Sequence, residues 1–223
     1  MHSKLYKFGL VVLFGSVSLC AQDVQDFVPT FGVKIGVPVT NMFRASSDVL
    51  SGGTQVDGYT TAVPSYEVGV SGEFHLPYHL RFEVDGLYKR AAFASDNVFG
   101  YGGPAYSNTS FNVFEVPALF KVNVTSSHFR PFADFGASLR HIATIRDQTF
   151  YDDFSEASFS KNASQLSNRN SYGGVAGFGF TIKLGKLEVS PEARYTRWAN
   201  QSFDAMGFHT NLNQGDVLLG IGF

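Results

Sequence analysis

Cysteine is almost absent from the sequence, and this excludes one common source of stability in exported proteins. The 223 residues include a single cysteine, Cys20. A disulfide framework needs at least one pair and is therefore excluded. Proline is also scarce, with 8 residues. We expect packing and polar pairing within the fold to provide its stability.

An excess of charge of one sign is also missing. Lys and Arg number 17, Asp and Glu number 19, and the net charge is −2. This balance gives no electrostatic reason to expect nucleic acid as a partner. Cofactor motifs are equally lacking: Gly174, Gly177 and Gly179 lie in a predicted strand with no helix after it, and the histidines lack the spacing of a metal site. We expect no cofactor and no bound metal.

No apolar run is long enough for a transmembrane helix, which needs about 20 residues. The longest run, 8–19, follows Lys4 and Lys7 and precedes Cys20 and Ala21, which is the pattern of a signal peptide. We expect residues 1–21 to be a signal peptide cleaved after Ala21, and residues 22–223 to form one exported domain. Modification of Cys20 as a lipoprotein acceptor is the alternative.

Aromatic residues and glycine are abundant, and their order predicts strands. The chain contains 23 Phe, 10 Tyr and 23 Gly, a composition that favours β-structure. In residues 80–89, Phe82 and Val84 share one face while Arg81 and Glu83 share the other, which is the two-residue period of a strand. We predict eight strands of this kind, at residues 30–37, 66–76, 80–89, 110–124, 130–142, 172–184, 187–195 and 216–223.

The predicted connections alternate in length. Short turns at 77–79, 125–129 and 185–186 alternate with long segments at 38–64, 94–108, 143–170 and 199–213. Short turns on one rim and long loops on the other are typical of transmembrane barrels. We therefore predict an all-β fold: an eight-stranded antiparallel up-and-down transmembrane β-barrel with four long extracellular loops.

A soluble lipocalin-like carrier would have the same strands with the apolar face inside. The leader, the loop asymmetry and a final strand ending at Phe223 favour lipid outside instead. Aromatic residues near strand ends point the same way, because transmembrane barrels carry aromatic girdles. They are Tyr66, Tyr88, Phe93, Phe111, Tyr195 and Trp198.

If lipid surrounds the barrel, the charged faces must point inward. A basic residue facing lipid at mid-depth costs about 2–4 kcal/mol, so the basic half of the set would exceed a total stability of about 5–15 kcal/mol. An interior of eight strands has room only for side chains, and we expect ion pairs to plug it. The predicted interior residues are Lys34, Glu67, Glu73, Arg81, Glu83, Asp85, Lys89, Glu115, Lys121, Asp134, Arg140, Lys183, Glu188, Glu192, Arg194 and Asp216.

Three segments resemble strands of small OmpA/OmpX-like outer-membrane β-barrel domains: 114–121 (FEVPALFK), 130–132 (RPF) and 214–223 (QGDVLLGIGF). The resemblance covers residues 27–223 and implies an integral outer-membrane protein. It implies as partners outer-membrane lipid, lipopolysaccharide and the barrel-assembly machinery. The residues that match the assembly signal of this family are Val217, Leu219, Ile221 and Phe223.

Candidate catalytic groups are few. Ser202, Asp204 and His209 share the last long segment and are a nucleophile, acid and base in principle, so a lipid-modifying enzyme is the main alternative to a non-enzymatic protein. An acidic cluster in the third long segment suggests either a cation site or a solvated loop; its members are Asp147, Asp152, Asp153 and Glu156.

The long segments offer the best surface for a ligand, because loops on a rigid scaffold often carry binding function. Their aromatic residues are Phe43, Tyr59, Phe99, Tyr101, Tyr106, Phe150, Tyr151, Phe154 and Phe159. The sequence therefore predicts a non-enzymatic outer-membrane barrel with a structural role in the envelope, or a role in surface attachment through its loops.

Overall fold

The structure is a computed structural model that describes residues 29–45, 47–49, 55–57, 66–77, 79–97, 105–124, 128–151, 158–160, 166–205 and 208–223. Eight long strands, labelled in chain order, form its main sheet. They are β1 (Thr30–Pro38), β2 (Glu67–His75), β3 (Leu80–Asn97), β4 (Ala105–Asn123), β5 (Phe129–Tyr151), β6 (Asn170–Leu184), β7 (Leu187–Trp198) and β8 (Asn213–Gly222). Within the described residues, no helix is long and apolar enough to cross a membrane, a finding that does not bear on a β-barrel.

The sheet closes on itself. Each long strand pairs antiparallel with the next one along the chain, and β1 pairs with β8 from Gly32 opposite Gly222 to Pro38 opposite Asp216. Closure gives every strand two neighbours, which satisfies its backbone hydrogen-bonding groups and removes the sheet edges. The predicted eight-stranded antiparallel barrel is confirmed.

Tight turns join the strands at one end, which we name the short-turn end. Gly185, between β6 and β7, has a φ of 67°, and His79, before β3, has a φ of 62°. Glycine adopts such angles without strain, so Gly185 is well suited to the two-residue turn at 185–186. The predicted short connections between β2 and β3 and between β6 and β7 are confirmed.

Two predicted loops are shorter than expected. The strands β3, β4 and β5 continue beyond the expected limits to Asn97, from Ala105 and to Tyr151, pairing throughout. The prediction that 94–108 and 143–170 are entirely loop is therefore wrong. Ser, Thr and Asn are frequent in these strand extensions. The sequence there therefore lacks the alternation of apolar and polar residues that is typical of a strand with one apolar face.

The apolar face of the barrel points outward. Large apolar side chains are exposed around the wall, including Phe31, Ile35, Val70, Phe135, Leu139, Phe178 and Val217, while charged side chains are buried inside. A lipocalin-like carrier needs the opposite orientation, so this alternative is not supported. An outward apolar belt on a closed barrel is the arrangement that a bilayer stabilises.

Short strands fold over the other end, which we name the loop end. Phe43–Ala45 pairs with Phe208–Thr210, which also pairs with Asp204–Ala205. This small sheet brings Phe43 and Phe203 over the interior, where both are buried. Residues from the first and last long segments therefore cover the mouth of the barrel.

Candidate functional site

The interior of the barrel holds a dense set of ion pairs, and Lys34 lies at the centre of its larger part. The Lys34 Nζ is 2.5 Å from Glu83 Oε1, 3.0 Å from Asp85 Oδ2 and 3.3 Å from Glu192 Oε2. All four side chains are almost fully buried. Three strands, β1, β3 and β7, supply these residues, so the cluster joins distant parts of the wall.

Two more cations complete this part, which we call the lower network. Lys121 Nζ lies 2.6 Å from the second oxygen of Glu83, and Arg194 lies 2.9 Å from Asp85 and 2.6 Å from Glu192. Glu83 therefore binds Lys34, Lys121 and, at 3.5 Å, Arg194. A carboxylate shared among three buried cations compensates much of the cost of burying them.

Asp134 fits beside the lower network because its neighbour on β6 is a glycine. A Cβ at Gly177 would lie 2.6 Å from Asp134 Oδ1 and 3.1 Å from the Ala193 carbonyl oxygen. Gly177 thus faces inward, as do Gly173 and Gly179, whose added Cβ atoms would approach Trp198 and Phe132. Small residues on this strand make room for long side chains opposite.

A group of pairs lies nearer the short-turn end. Arg81 bonds Glu73, and Arg130 Nη2 is 2.6 Å from Glu188 Oε1. Lys183 also contacts Glu188, at 3.4 Å, but its side chain is 44% exposed, so it lies at the rim rather than inside. Arg130 is also buried, but it is missing from the predicted interior residues. The two-residue period of the strand places Arg130 on the same face as Asp134, so its inward orientation was predictable.

A second cluster, the upper network, lies between the lower network and the loop end. Lys89 Nζ is 2.8 Å from Glu115 Oε2, 3.1 Å from Glu67 Oε2 and 3.5 Å from Asp216 Oδ2. Arg140 Nε is 3.5 Å from Glu115 Oε1. All five side chains are buried.

Trp198 caps the upper network from above. The Arg140 guanidinium lies 3.6 Å from the centre of the Trp198 ring, a cation–π contact. The indole Nε1 donates a 3.0 Å hydrogen bond to Gln214 Oε1, and Gln214 Nε2 donates a 2.8 Å bond to Asp216. The interpretation of Trp198 as a girdle residue is therefore wrong, because its side chain is 1% exposed and lies inside.

An apolar cluster lies above these networks. Phe43, Phe93, Phe111 and Phe203 pack together, with ring centres of Phe43 and Phe93 5.0 Å apart and those of Phe111 and Phe203 also 5.0 Å apart. Aliphatic residues complete this cluster, which we call the phenylalanine cap; they are Ala91, Val113, Ile142 and Ile145.

The phenylalanine cap corrects two expectations. Phe93 and Phe111 were predicted in an outer aromatic girdle, and Phe43 was predicted as an exposed loop aromatic, yet all three are buried. Tyr66 and Tyr195 do face outward, each 49% exposed. Alternation places Phe93 on the same face as Lys89, and Phe111 on the same face as Glu115, so the signal for the inward orientation was present in the sequence.

The candidate catalytic residues are only partly brought together. His209 Nδ1 and Asp204 Oδ1 are 2.7 Å apart on paired strands. Ser202 is fully buried, and its hydroxyl hydrogen-bonds at 3.0 Å with the hydroxyl of Ser171. A nucleophile must reach both its base and a substrate, and Ser202 is instead part of the buried packing beneath the loop.

Several predicted loop residues lie outside the described residues or have side chains that are not described. They are Asp147, Asp152, Asp153, Glu156, Tyr59, Phe99, Tyr101, Tyr106, Phe150, Tyr151, Phe154 and Phe159. Residues 1–28, which contain the predicted signal peptide, also lie outside them. Across the described part of the chain, no group of His, Cys, Asp and Glu has the arrangement of a metal site.

The residues of the predicted assembly signal lie on β8. Val217 and Phe223 are exposed on the outer wall, and Leu219 and Ile221 are half-buried there. Leu218, between Val217 and Leu219, points inward and is buried. Because β8 pairs with β1 and closes the barrel, these residues occupy the seam.

Comparison with one solved structure supports the fold. The outer membrane protein OprG from Pseudomonas aeruginosa superposes with a TM-score of 0.53 at 15% identity, over 87% of this chain and 92% of that one. Neisserial surface protein A (NspA) gives 0.45 at 17% identity over 87% and 94%, and Ail of Yersinia pestis gives 0.40 at 12% over 87% and 97%. No family model and no curated protein matches the sequence.

These identities are low, so the similarity concerns the fold. The chain has the eight-stranded outer-membrane barrel fold of the OmpA/OmpX-like type, as its strand patterns predicted. The fold and the apolar outer wall agree with the outer-membrane location expected from the sequence.

Proposed function

We propose that this protein is a non-enzymatic integral outer-membrane barrel with a sealed interior, which stabilises the envelope or attaches the cell through its four loops. The observation that carries the proposal is the filling of the interior: lower network, upper network and phenylalanine cap follow one another from the short-turn end to the loop end.

Charge balance within the interior favours a seal. A permeating ion would have to displace side chains such as Lys34, which contacts three carboxylates. Removing one partner from a buried ion pair costs about 3–5 kcal/mol. The phenylalanine cap adds an apolar layer at the mouth, where its aromatic pairs contribute about 0.5–1.5 kcal/mol each beyond their burial.

Planar-bilayer recording tests the seal. Folded protein, verified by gel migration that changes on boiling, is added to a bilayer, with a large porin as a positive control for insertion. We expect no discrete conductance steps from this protein. Reproducible large steps at matched protein amounts would contradict a sealed interior and favour a channel.

Cell assays separate an envelope role from attachment. A strain lacking the protein is compared with one producing a variant that lacks residues 152–157, which retains all eight barrel strands. If the barrel itself stabilises the envelope, the variant restores detergent resistance; if the loops attach the cell, it restores resistance but not binding to surfaces. A deletion strain with normal detergent resistance and normal binding to surfaces would contradict both roles.

Biogenesis of this barrel would use the barrel-assembly machinery, with the outward residues of β8 as the recognised segment. Two features support this proposal: the apolar, aromatic-ended pattern of the final strand, and its position at the seam with β1. Outer-membrane lipid and lipopolysaccharide would surround the wall.

A lipid-modifying enzyme is the second candidate, favoured by the 2.7 Å contact between Asp204 and His209. The buried position of Ser202 argues against it. Ser202→Ala and His209→Ala variants discriminate the two: an altered lipid acylation pattern by mass spectrometry would favour the enzyme, and an unchanged pattern would favour the non-enzymatic barrel.

A further inference from the structure

A polar pocket interrupts the outer wall of the barrel just above its apolar belt. Its volume is about 180 Å³. It is lined by Tyr88 and Arg90 on β3, Ser110, Phe111 and Asn112 on β4, and Thr144 and Arg146 on β5. The register places Arg90 opposite Asn112 and Arg146 opposite Ser110. The two guanidinium groups therefore flank β4.

A β-bulge lies beside this pocket. Between β4 and β5, Val113 pairs with Ile142 but Phe111 pairs with Ile145, so β5 contains one extra residue. The extra residue reverses the alternation of β5: Ile145 enters the phenylalanine cap, and Arg146 is exposed on the outer wall. Without the bulge Arg146 would point into an apolar interior, so the bulge serves to re-aim this side chain.

Among the described side chains, the charge around the pocket is of one sign. Of the carboxylates whose side chains the structure describes, Asp204 alone is exposed, and the others are buried or half-buried inside the barrel. Asp204 lies in the hairpin at the loop end, paired with His209. Arg90 and Arg146 therefore have no carboxylate partner among the described side chains. With the hydroxyl and amide donors between them, they suit an oxyanion.

The surroundings of the pocket select the kind of anion. The ring of Tyr88, which lines the pocket, packs against Phe114 with ring centres 5.5 Å apart and ring planes inclined at 59°. Farther down, Val116 and Leu139 are exposed on the wall. A ligand with a phosphate at the height of the arginines would lay acyl chains along these residues. Free phosphate would use the arginines alone.

We propose that Arg90 and Arg146 form a binding site for a phosphate group of lipid A, the acylated anchor of lipopolysaccharide, in the outer leaflet. This inference rests on the outer-membrane location in the proposed function. It deepens that proposal by assigning the wall of β3 to β5, rather than the loops, as the surface that meets this lipid.

The test measures binding of lipid A to the folded full-length barrel in detergent by native mass spectrometry. Probes are diphosphoryl lipid A, dephosphorylated lipid A and inorganic phosphate. Variants are Arg90→Gln, Arg146→Gln and, as a control with the same change of charge, Lys186→Gln in the exposed turn at the short-turn end. Gel migration with and without boiling verifies that each variant is folded.

We expect each arginine variant to weaken binding of diphosphoryl lipid A about tenfold, because each loses a charged hydrogen-bonding group. Lys186→Gln should change it less than twofold, and dephosphorylated lipid A should bind more weakly and respond little to Arg90→Gln. Equal losses in all three variants, or equal affinity for both lipids, would overturn the site. Inorganic phosphate binding as tightly as lipid A would overturn the lipid as its ligand.

Failure of this site is distinguishable from failure of the proposed function. Fractionation of expressing cells and bilayer recording test the location and the seal without reference to lipid A. A barrel found in the outer membrane, without conductance and with unaltered lipid A binding in Arg90→Gln and Arg146→Gln, would overturn this inference alone.

Discussion

Replacing Glu83 with glutamine should destabilise the barrel strongly. The carboxylate lies 2.5 Å from Lys34, 2.6 Å from Lys121 and 3.5 Å from Arg194, and it is 3% exposed. Glutamine retains the shape but removes the charge, which leaves three buried cations with one carboxylate fewer. Removing one partner of a buried pair costs about 3–5 kcal/mol, a large part of a total of about 5–15 kcal/mol.

Urea unfolding of the barrel in phospholipid vesicles measures this loss. The single tryptophan, Trp198, is buried against Arg140, so its fluorescence reports the interior directly. Gel migration without boiling gives an independent measure of the folded fraction. The free energy of unfolding should fall by about 3–5 kcal/mol for Glu83→Gln.

The matched control is Asp204→Asn, the same chemical change at a side chain that is 54% exposed. Its contact with His209 is solvated, and such pairs contribute about 0–1 kcal/mol. Adding Lys34→Met to Glu83→Gln should recover part of the loss, because the charges then balance again. Equal effects of Glu83→Gln and Asp204→Asn would refute the reasoning.

Three further predictions concern other parts of the barrel. Gly177→Val should prevent correct folding because its side chain would meet Asp134, whereas Gly174→Val, with nothing within 4 Å, should fold normally; heat-modifiable gel migration compares them. Phe203→Ala should lower the free energy of unfolding by about 3–5 kcal/mol through a cavity in the phenylalanine cap, measured by urea titration. Phe223→Ala should slow conversion of pulse-labelled protein to the folded form in cells, without changing the stability of barrels refolded in vitro by more than about 1 kcal/mol.

The sequence predicts which face of a strand each charged residue occupies, because alternation assigns faces. Lys34, Glu83 and Glu192 are all buried inside as the pattern requires. Their partners are harder to predict: Lys34 and Glu192 are 158 residues apart, and their contact depends on how far each strand is displaced along its neighbour. Alternation contains no information about that displacement.

The phenylalanine cap was predictable in part. Phe93 and Phe111 follow the alternation of their strands inward, but a general preference of aromatic residues for the membrane interface suggested the opposite. Here the alternation is the better guide. Turning Phe93 and Phe111 outward would require a shift of one residue, which would also turn Lys89 and Glu115 outward. Phe43 and Phe203 were beyond prediction, since their burial depends on loop segments that pair only in three dimensions.

Net charge is a poor guide to the outer surface of this protein, because nearly all the carboxylates with described side chains lie inside the barrel. The whole chain carries −2, which gave no reason to expect an anionic ligand. Most described carboxylates, however, are used inside the barrel, while Arg90, Arg146 and Arg197 are exposed on the wall near the loop end. The cations inside have acidic partners, and these arginines do not have them among the described side chains. The bulge in β5 places Ile145 inside the phenylalanine cap and Arg146 outside, so a single extra residue contributes both to the apolar mouth and to the cationic wall beside it.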